Sequence, residues 1–335
     1  MKKEIVIFFT IDNKFAKYCS VTIASILANS NSDENFIFGI LSSDLSEKSK
    51  NNIRKLKKIK NFEIKFFNVD NSIFSAYDTP NYISSSASLY RYLIPNLSPE
   101  FDKVLYLDSD IIVKSSLFDL FNTDLKDTYI GGVEDFHWNM GNKRLKLNSN
   151  ISEPYFNSGV LLINSKKWRE ENLFDKLIEQ TKKLNPYMLE QTDQDAINIV
   201  CKNKKTVLDP KYNLLACFED RRFFTSYSKK QMDEAITSPV IIHYSGPIKP
   251  WNRKCFPTNE FAYEYYKYLK FTPFYKKRYV FLLSLFNADT KKYLFKIKDN
   301  LFVQVCFNLI KLPIQIFYLF KSLFKFKKYY NKFKN

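Results

Sequence analysis

Two carboxylates stand one residue apart inside an apolar run, VLYLDSDIIV, at Asp108 and Asp110. Desolvating an unpaired carboxylate is costly, so something positive must meet them. In a strand, residues i and i+2 share a side. Both acids can therefore address one point at a strand's carboxyl end, where open α/β sheets bind their ligands. A D-x-D can also be a plain turn, each side chain bonding local backbone. Here the core-like flanks VLYL and IIV favour a divalent cation, with carboxylates on one side and substrate phosphates on the other. One of the chain's two histidines, His243, ends a second apolar run, VIIH, and is followed by Ser245, Gly246, Lys249 and Trp251. A core histidine with a hydrogen-bonded ring is the bland alternative. As a third ligand, an imidazole beside carboxylates suits Mn²⁺ better than Mg²⁺, and Lys249 can neutralise a diphosphate. His137, in EDFHWNM, has no comparable neighbours.

These groups need a scaffold. EIVIFFT (4–10), FIFGIL (36–41), FEIKFFNV (62–69), YIGGVED (129–135), SGVLLIN (158–164) and VIIHY (240–244) read as strands, several without alternation, as in strands covered on both faces. KVLYLDSDIIV (103–113) reads as a strand and its exit. Helical spacing marks 15–29, 45–60 with Ser46 as its cap, 86–95, 165–183 and 192–203. Strands alternating with helices predict an α/β fold with a mainly parallel sheet.

Composition narrows the function classes. The chain has 335 residues, 45% of them hydrophobic, and six glycines, none in a G-x-G-x-x-G or P-loop arrangement. Any bound nucleotide must therefore rely on another positive group for its phosphates. Five cysteines without a C-x-x-C pair argue against a disulfide framework or a structural zinc site and fit free thiols in a reducing compartment. The N-terminal apolar run stops at Asp12, which suits a buried first strand better than a signal-peptide core.

The ordered set IVIFFTIDNKFAKYCSVTIASIL, SSSASLYRYLIP, DKVLYLDSDIIV, YIGGVED, YFNSGVLLINSKKW, EQTDQDAIN and HYSGPIKPW, over roughly residues 4–255, resembles glycosyltransferase family 8. These are retaining nucleotide-sugar transferases that include bacterial lipopolysaccharide galactosyl- and glucosyltransferases and, more distantly, glycogenin. The resemblance implies a GT-A fold, a nucleotide-sugar donor, most often UDP-hexose, and Mn²⁺, with Mg²⁺ as the substitute. It places the metal on Asp108, Asp110 and His243, with Ser109 on the donor between the two acids. Gly246 and Lys249 fall on diphosphate contacts. Thr10, Asp12, Asn13 and Phe15 fall on the nucleoside segment, the aromatic stacking on the base. Arg91 matches a contact to donor phosphate and sugar; Asn157, Asp193 and Gln194 match residues holding the transferred sugar; Asp135 matches a position near the acceptor. Taken singly, Asn157 also suits a turn, Asp193 an N-cap and Arg91 a structural ion pair. A double displacement would need Gln194, a weak nucleophile, or a reoriented Asp195. Front-face transfer, with Asp193 and the Gln194 carbonyl stabilising the sugar cation, is the favoured route.

Charge is uneven. Residues 265–335 hold 16 of the 52 Lys/Arg but only 2 of the 35 Asp/Glu. Within them LFVQVCFNLIKLPIQIFYLF (301–320) is as long as a membrane span, yet its polar members share one helical face. That favours a helix lying in the membrane interface, with the following lysines facing anionic lipid. The expected whole is a catalytic domain over 1–264 and a basic, aromatic, helical tail over 265–335. Its place would be cytoplasmic, peripheral on the inner face of the cell membrane. The expected partners are a UDP-hexose donor, a glycan or lipid-linked acceptor and an anionic membrane surface, and no nucleic acid. Two rivals stand: a transferase acting on a protein or soluble glycan, and a nucleic-acid-binding protein with a degenerate catalytic domain. Intact Asp108, Asp110, His243, Lys249 and Gln194 argue against degeneracy.

Overall fold

The computed structural model describes residues 3–75, 86–135, 154–183, 192–216, 226–246, 249–251 and 261–276. Strands β1 (Lys3–Thr10), β2 (Glu34–Ser42), β3 (Glu63–Asn68), β4 (Lys103–Leu107), β6 (Ile130–Glu134), β7 (Phe156–Asn164) and β8 (Lys205–Val207) form a seven-stranded sheet in the order β3-β2-β1-β4-β7-β6-β8. β3, β2, β1 and β4 run parallel, β7 is antiparallel to both β4 and β6, and β6 and β8 are parallel. This is the mixed, mostly parallel sheet predicted. A second sheet joins β5 (Ile111–Val113), β10 (Ile241–His243) and β9 (Leu214–Leu215).

The non-alternating strands are explained by two cores, one on each face of the large sheet. Because successive side chains point to opposite faces, Ile5, Ile7 and Phe9 of β1 enter one core, and Val6 and Phe8 the other. β4 and β7 split likewise, with Leu105, Leu107, Val160 and Leu162 against Val104, Tyr106, Leu161 and Ile163. Helix α1 (Ala16–Ala28) buries Cys19, Ile23 and Leu27 on the first face. On the second lie the 3₁₀ turn Ser86–Leu93, Trp168 and the helix Thr192–Val200.

Several expected boundaries move. The stretch 103–113 is not one strand: β4 ends at Leu107, β5 starts at Ile111, and the two belong to different sheets. Residues 108–110 form the bend between them. Helix 165–183 is interrupted, ending at Glu170 and resuming at Leu173, with Asn172 at φ 50° between. The 45–60 helix is α-helical over Glu47–Arg54 (α2) and tightens to 3₁₀ over Lys55–Lys58. The 86–95 segment is 3₁₀ up to Leu93, and Pro95 lies in the first turn of the short helix Ile94–Leu97, where its missing N–H costs nothing. β8 and β9 carried no clear signal in the sequence, whereas helix Lys229–Thr237 carried one that was not among the expected elements, the capping box of Ser228 and Gln231.

The chain divides into units 1–276 and 277–335. The expected division at 264/265 cuts through helix Ala262–Leu269, whose Tyr265, Tyr266, Tyr268 and Leu269 are buried. Tyr268 accepts from Asn29 of α1 at 2.8 Å, and Glu264 pairs with Lys114. The first unit therefore absorbs the start of the basic stretch. Among the described residues no helix is long and apolar enough to cross a membrane. Segment 301–320, His137, Cys217, Cys255 and Cys306 lie outside the described residues; Cys19 and Cys201 are buried.

Candidate active site

The break between β4 and β5 turns Asp108 and Asp110 toward the end of β10, where His243 is paired antiparallel with Ile111. The two acids thus converge through a change of sheet rather than through the pleat of one strand. The bend is fastened from both sides. Asp108 N–H donates to the Gly159 carbonyl at 2.8 Å, and Tyr244 N–H to the Asp110 carbonyl at 2.9 Å. From α1, the Thr22 hydroxyl stands 2.9 Å from the carbonyls of both Ser109 and Ile111. Ser25 Oγ accepts from Val113 N–H at 2.9 Å, and Asn29 Nδ2 donates to the Val113 carbonyl at 2.9 Å. A spacing of three puts Thr22 and Ser25 on one face of α1, and with its C-cap Asn29 they satisfy backbone groups that no neighbouring strand pairs.

His243 Nε2 lies 3.3 Å from Asp110 Oδ1 and 3.7 Å from Asp108 Oδ2. One ligand atom from each of the three residues falls within 4.8 Å of the others. Each acid has one oxygen engaged elsewhere. Asp108 Oδ1 accepts from the Tyr106 hydroxyl at 2.6 Å and from Arg91 Nη2 at 3.2 Å; Asp110 Oδ2 accepts from Lys249. Burial pushes the Tyr106 hydroxyl well above the ordinary tyrosine value, so it stays a donor. Burial alone would raise the Asp110 carboxyl, but the Lys249 ammonium holds it well below the usual carboxylate range.

The residues fit a divalent metal. Two carboxylates and an imidazole supply the mixed oxygen and nitrogen donors such ions take. The space is kept by Gly159, where a Cβ would stand 2.3 Å from His243 Cε1 and 2.7 Å from Asp108 Oδ2. Gly246, at φ 83°, turns the chain between β10 and Lys249, a conformation that disfavours any side chain.

These groups line a cavity of about 330 Å³, within the range of small-ligand sites. Of the expected site residues, Thr10, Asp12, Phe15, Arg91, Ser109, Asn157, Asp193, Gln194, Gly246 and Lys249 also line it. Arg91 is 5% exposed: Nε donates to the Ser88 carbonyl at 2.7 Å and Nη1 to the Ser158 carbonyl at 2.6 Å, with Asp193 Oδ2 3.3 Å from Nη1. Burial would lower its pKa, but Asp193, Tyr106 and Asp108 outweigh that and raise it. Asp193 Oδ2 also accepts from Ser158 Oγ at 3.0 Å. Gln194 Oε1 accepts from Ser158 N–H at 2.9 Å.

Three expected site residues do not line the cavity. Asn13 turns away: its Oδ1 accepts from Ser46 N–H at 3.1 Å and from Ser49 Oγ at 2.8 Å, steadying the start of α2. Asp135 bonds to two lining residues instead, its Oδ2 accepting from Asn157 at 3.0 Å and Gln194 at 3.1 Å. Asp195 is 0% exposed and accepts from the Tyr155 hydroxyl, so it does not face the cavity. Conversely, Tyr106, Ser158, Gly159 and Asn213 shape the site without having been singled out. Tyr106 and Gly159 lie inside motifs already quoted, at positions whose contacts come from distant strands. Asn213, in KYNLL, carries no local signal. Trp251 stacks on Tyr18 of α1 at 3.8 Å and 17°, tying the chain just after Lys249 to the body.

The family model described as Glycosyl transferase family 8 matches residues 6–255. A protein of Haemophilus influenzae, provisionally named a glycosyltransferase, is 32% identical over 252 residues, 74% of this chain and 73% of that one. The lipopolysaccharide 1,3-galactosyltransferase of Salmonella typhimurium is 28% identical over 256 residues, 73% of this chain and 72% of that one. Among solved structures, galactosyltransferase LgtC in complex with donor and acceptor sugar analogs matches with a TM-score of 0.71 at 26% identity, covering 82% of this chain and 99% of that one. A bend carrying two acids, a histidine from a second sheet and a family match spanning both lead to one assignment: the chain belongs to glycosyltransferase family 8 and has the GT-A fold.

Proposed function

We propose that this protein transfers a hexose, galactose or glucose, from a UDP-sugar to a lipopolysaccharide, lipooligosaccharide or other lipid-linked glycan, with retention and with Mn²⁺. One observation carries the reading: Asp108, Asp110 and His243 meet beside Lys249 and Arg91 on a single cavity. A sugar nucleotide offers what that cavity lacks, a diphosphate for the cations and a polar ring for the far wall. The donor is supported by likeness to LgtC, and the acceptor class by likeness to the Salmonella enzyme.

When bound, the metal supplies Lewis-acid stabilisation to charge growing on the diphosphate. Lys249 offers a second cation there, and Gly246 keeps its loop in the required turn. Arg91, pinned by Ser88, Ser158, Asp108 and Asp193, holds the wall between phosphate and sugar. Asn157, Asp193 and Gln194 face the sugar ring. Asp195 is sealed under Tyr155, and a carboxamide is a poor nucleophile, so neither favours a covalent sugar intermediate. Front-face attack follows, with the departing phosphate taking the acceptor's proton. The acceptor enters on the side of Asp135, which acts through Asn157 and Gln194.

On this reading the basic, aromatic C-terminal stretch holds the enzyme on anionic lipid at the inner face of the cell membrane, and the protein is cytoplasmic. The test is hydrolysis of UDP-galactose and UDP-glucose with and without Mn²⁺, with the anomeric product read by NMR. Metal-dependent release of one α-hexose supports the proposal. Metal-independent release, or the β-anomer as first product, contradicts it.

A further inference from the structure

We infer that Asn213 is a positioning residue that fixes His243 in the tautomer able to present Nε2 to a metal, its own polarity being set by the Gly159 amide through Asn157. The inference rests on the metal reading proposed above. Asn213 is 2% exposed and precedes β9, the neighbour of β10.

The polarity follows from groups of fixed sign. Gly159 N–H can only donate, and it lies 3.0 Å from one amide atom of Asn157, which must be Oδ1. Asp135 gives the same answer independently: its Oδ2, an acceptor when ionised, meets the other Asn157 atom, Nδ2, at 3.0 Å. Asn157 Oδ1 also meets Asn213 at 2.9 Å, and an acceptor needs a donor, so that atom is Asn213 Nδ2. Asn213 Oδ1 is then left facing His243 Nδ1 at 3.0 Å, and an acceptor there requires the proton on Nδ1. A neutral imidazole carries one such proton. Nε2 keeps its lone pair and faces Asp108 and Asp110. Asn213 thus opposes a competing arrangement in which Nε2–H donates to Asp110 and the ring is lost as a ligand. Outer groups of this kind set the tautomer and orientation of metal-binding histidines. The same relay joins the metal side to Asn157 on the sugar side.

The test reads the ring directly. With His137→Gln in place a single histidine remains, and ¹⁵N-histidine labelling with long-range ¹H–¹⁵N correlation, in metal-free protein in alkaline buffer, reports each ring nitrogen. The expected pattern is a protonated, pyrrole-type Nδ1 and a pyridine-type Nε2. Asn213→Asp keeps an acceptor and is expected to keep that pattern. Asn213→Leu is expected to move the proton to Nε2 and to weaken Mn²⁺ binding by about 10- to 100-fold in calorimetry. A pyridine-type Nδ1 in the Asn213 protein would overturn the inference, and so would Asn213→Leu with both the pattern and the Mn²⁺ affinity unchanged. The first arm needs no Asn213 variant to fold. Because it is read without metal, failure of Mn²⁺ to bind would strike the metal proposal separately.

Discussion

At the residue scale, the site works by giving each polar atom a single partner direction. Asp108 spends Oδ1 on Tyr106 and Arg91 and turns Oδ2 inward; Asp110 spends Oδ2 on Lys249 and turns Oδ1 inward. The tightest steric demand is at Gly159. Gly159→Ala is expected to displace the His243 ring and reduce Mn²⁺ affinity by about tenfold or more, and to lower stability by about 1–3 kcal/mol in urea denaturation through the overpacked site. Unchanged affinity would show that the ring has room the geometry denies it. Arg91→Lys keeps the charge but not the fork that reaches Ser88, Ser158 and Asp108. It is expected to lower stability by about 1–3 kcal/mol as well as transfer, checked by urea denaturation and donor hydrolysis. The cluster of Asp108, Asp110 and His243 was legible in the sequence, because an acid or histidine inside an apolar run needs a reason. Asn13 was misplaced because its partners, Ser46 and Ser49, are more than thirty residues away. Asn213 was invisible for the same cause: its meaning comes from His243 and Asn157, both distant in the chain.

At the element scale, the decisive feature is that β4 and β5 belong to different sheets. The apolar run 104–113 was rightly predicted to be buried, but its periodicity is the same whether one strand or two is formed. What breaks it is tertiary: β7 pairs β4, β10 pairs β5, and α1 supplies Thr22, Ser25 and Asn29 to the gap. Thr22→Val, nearly isosteric, leaves the Ser109 and Ile111 carbonyls without that hydroxyl. The expected cost is about 1–3 kcal/mol, measured by denaturant titration, with donor hydrolysis falling as well. No loss of stability would mean that α1 does not clamp the bend. The inner strands β1, β2, β4, β6 and β7 of the large sheet were legible because burial on both faces leaves continuous apolar runs. β8 and β9, three and two residues long, are too short for any period to register. On the first face of the sheet, burial pushes the Cys19 thiol far above its ordinary value. Native protein at mildly alkaline pH is therefore expected to leave Cys19 unalkylated by iodoacetamide until denaturant is added, read by peptide mass spectrometry.

At the scale of the whole molecule, a nearly charge-balanced body adjoins a strongly basic C-terminal stretch. The charge change sets in before the end of the first unit, at Lys276. It missed helix Ala262–Leu269, because tyrosines and lysines read alike whether they cover a core or a membrane. If the stretch after Lys276 serves as a lipid contact, the full chain sediments with anionic liposomes in a salt-sensitive way. The chain cut after Lys276 then stays behind and still hydrolyses donor; equal sedimentation by both would remove the membrane role. On the proposed reading, the body's own role turns on one divalent metal held where the two sheets meet. The most direct measurement is a Mn²⁺ titration with UDP present, following free Mn²⁺ by electron paramagnetic resonance. The wild-type chain should bind one Mn²⁺ ion, and Asp108→Ala and His243→Ala, folded by circular dichroism, should each lose it. Undiminished binding by either variant would contradict the account.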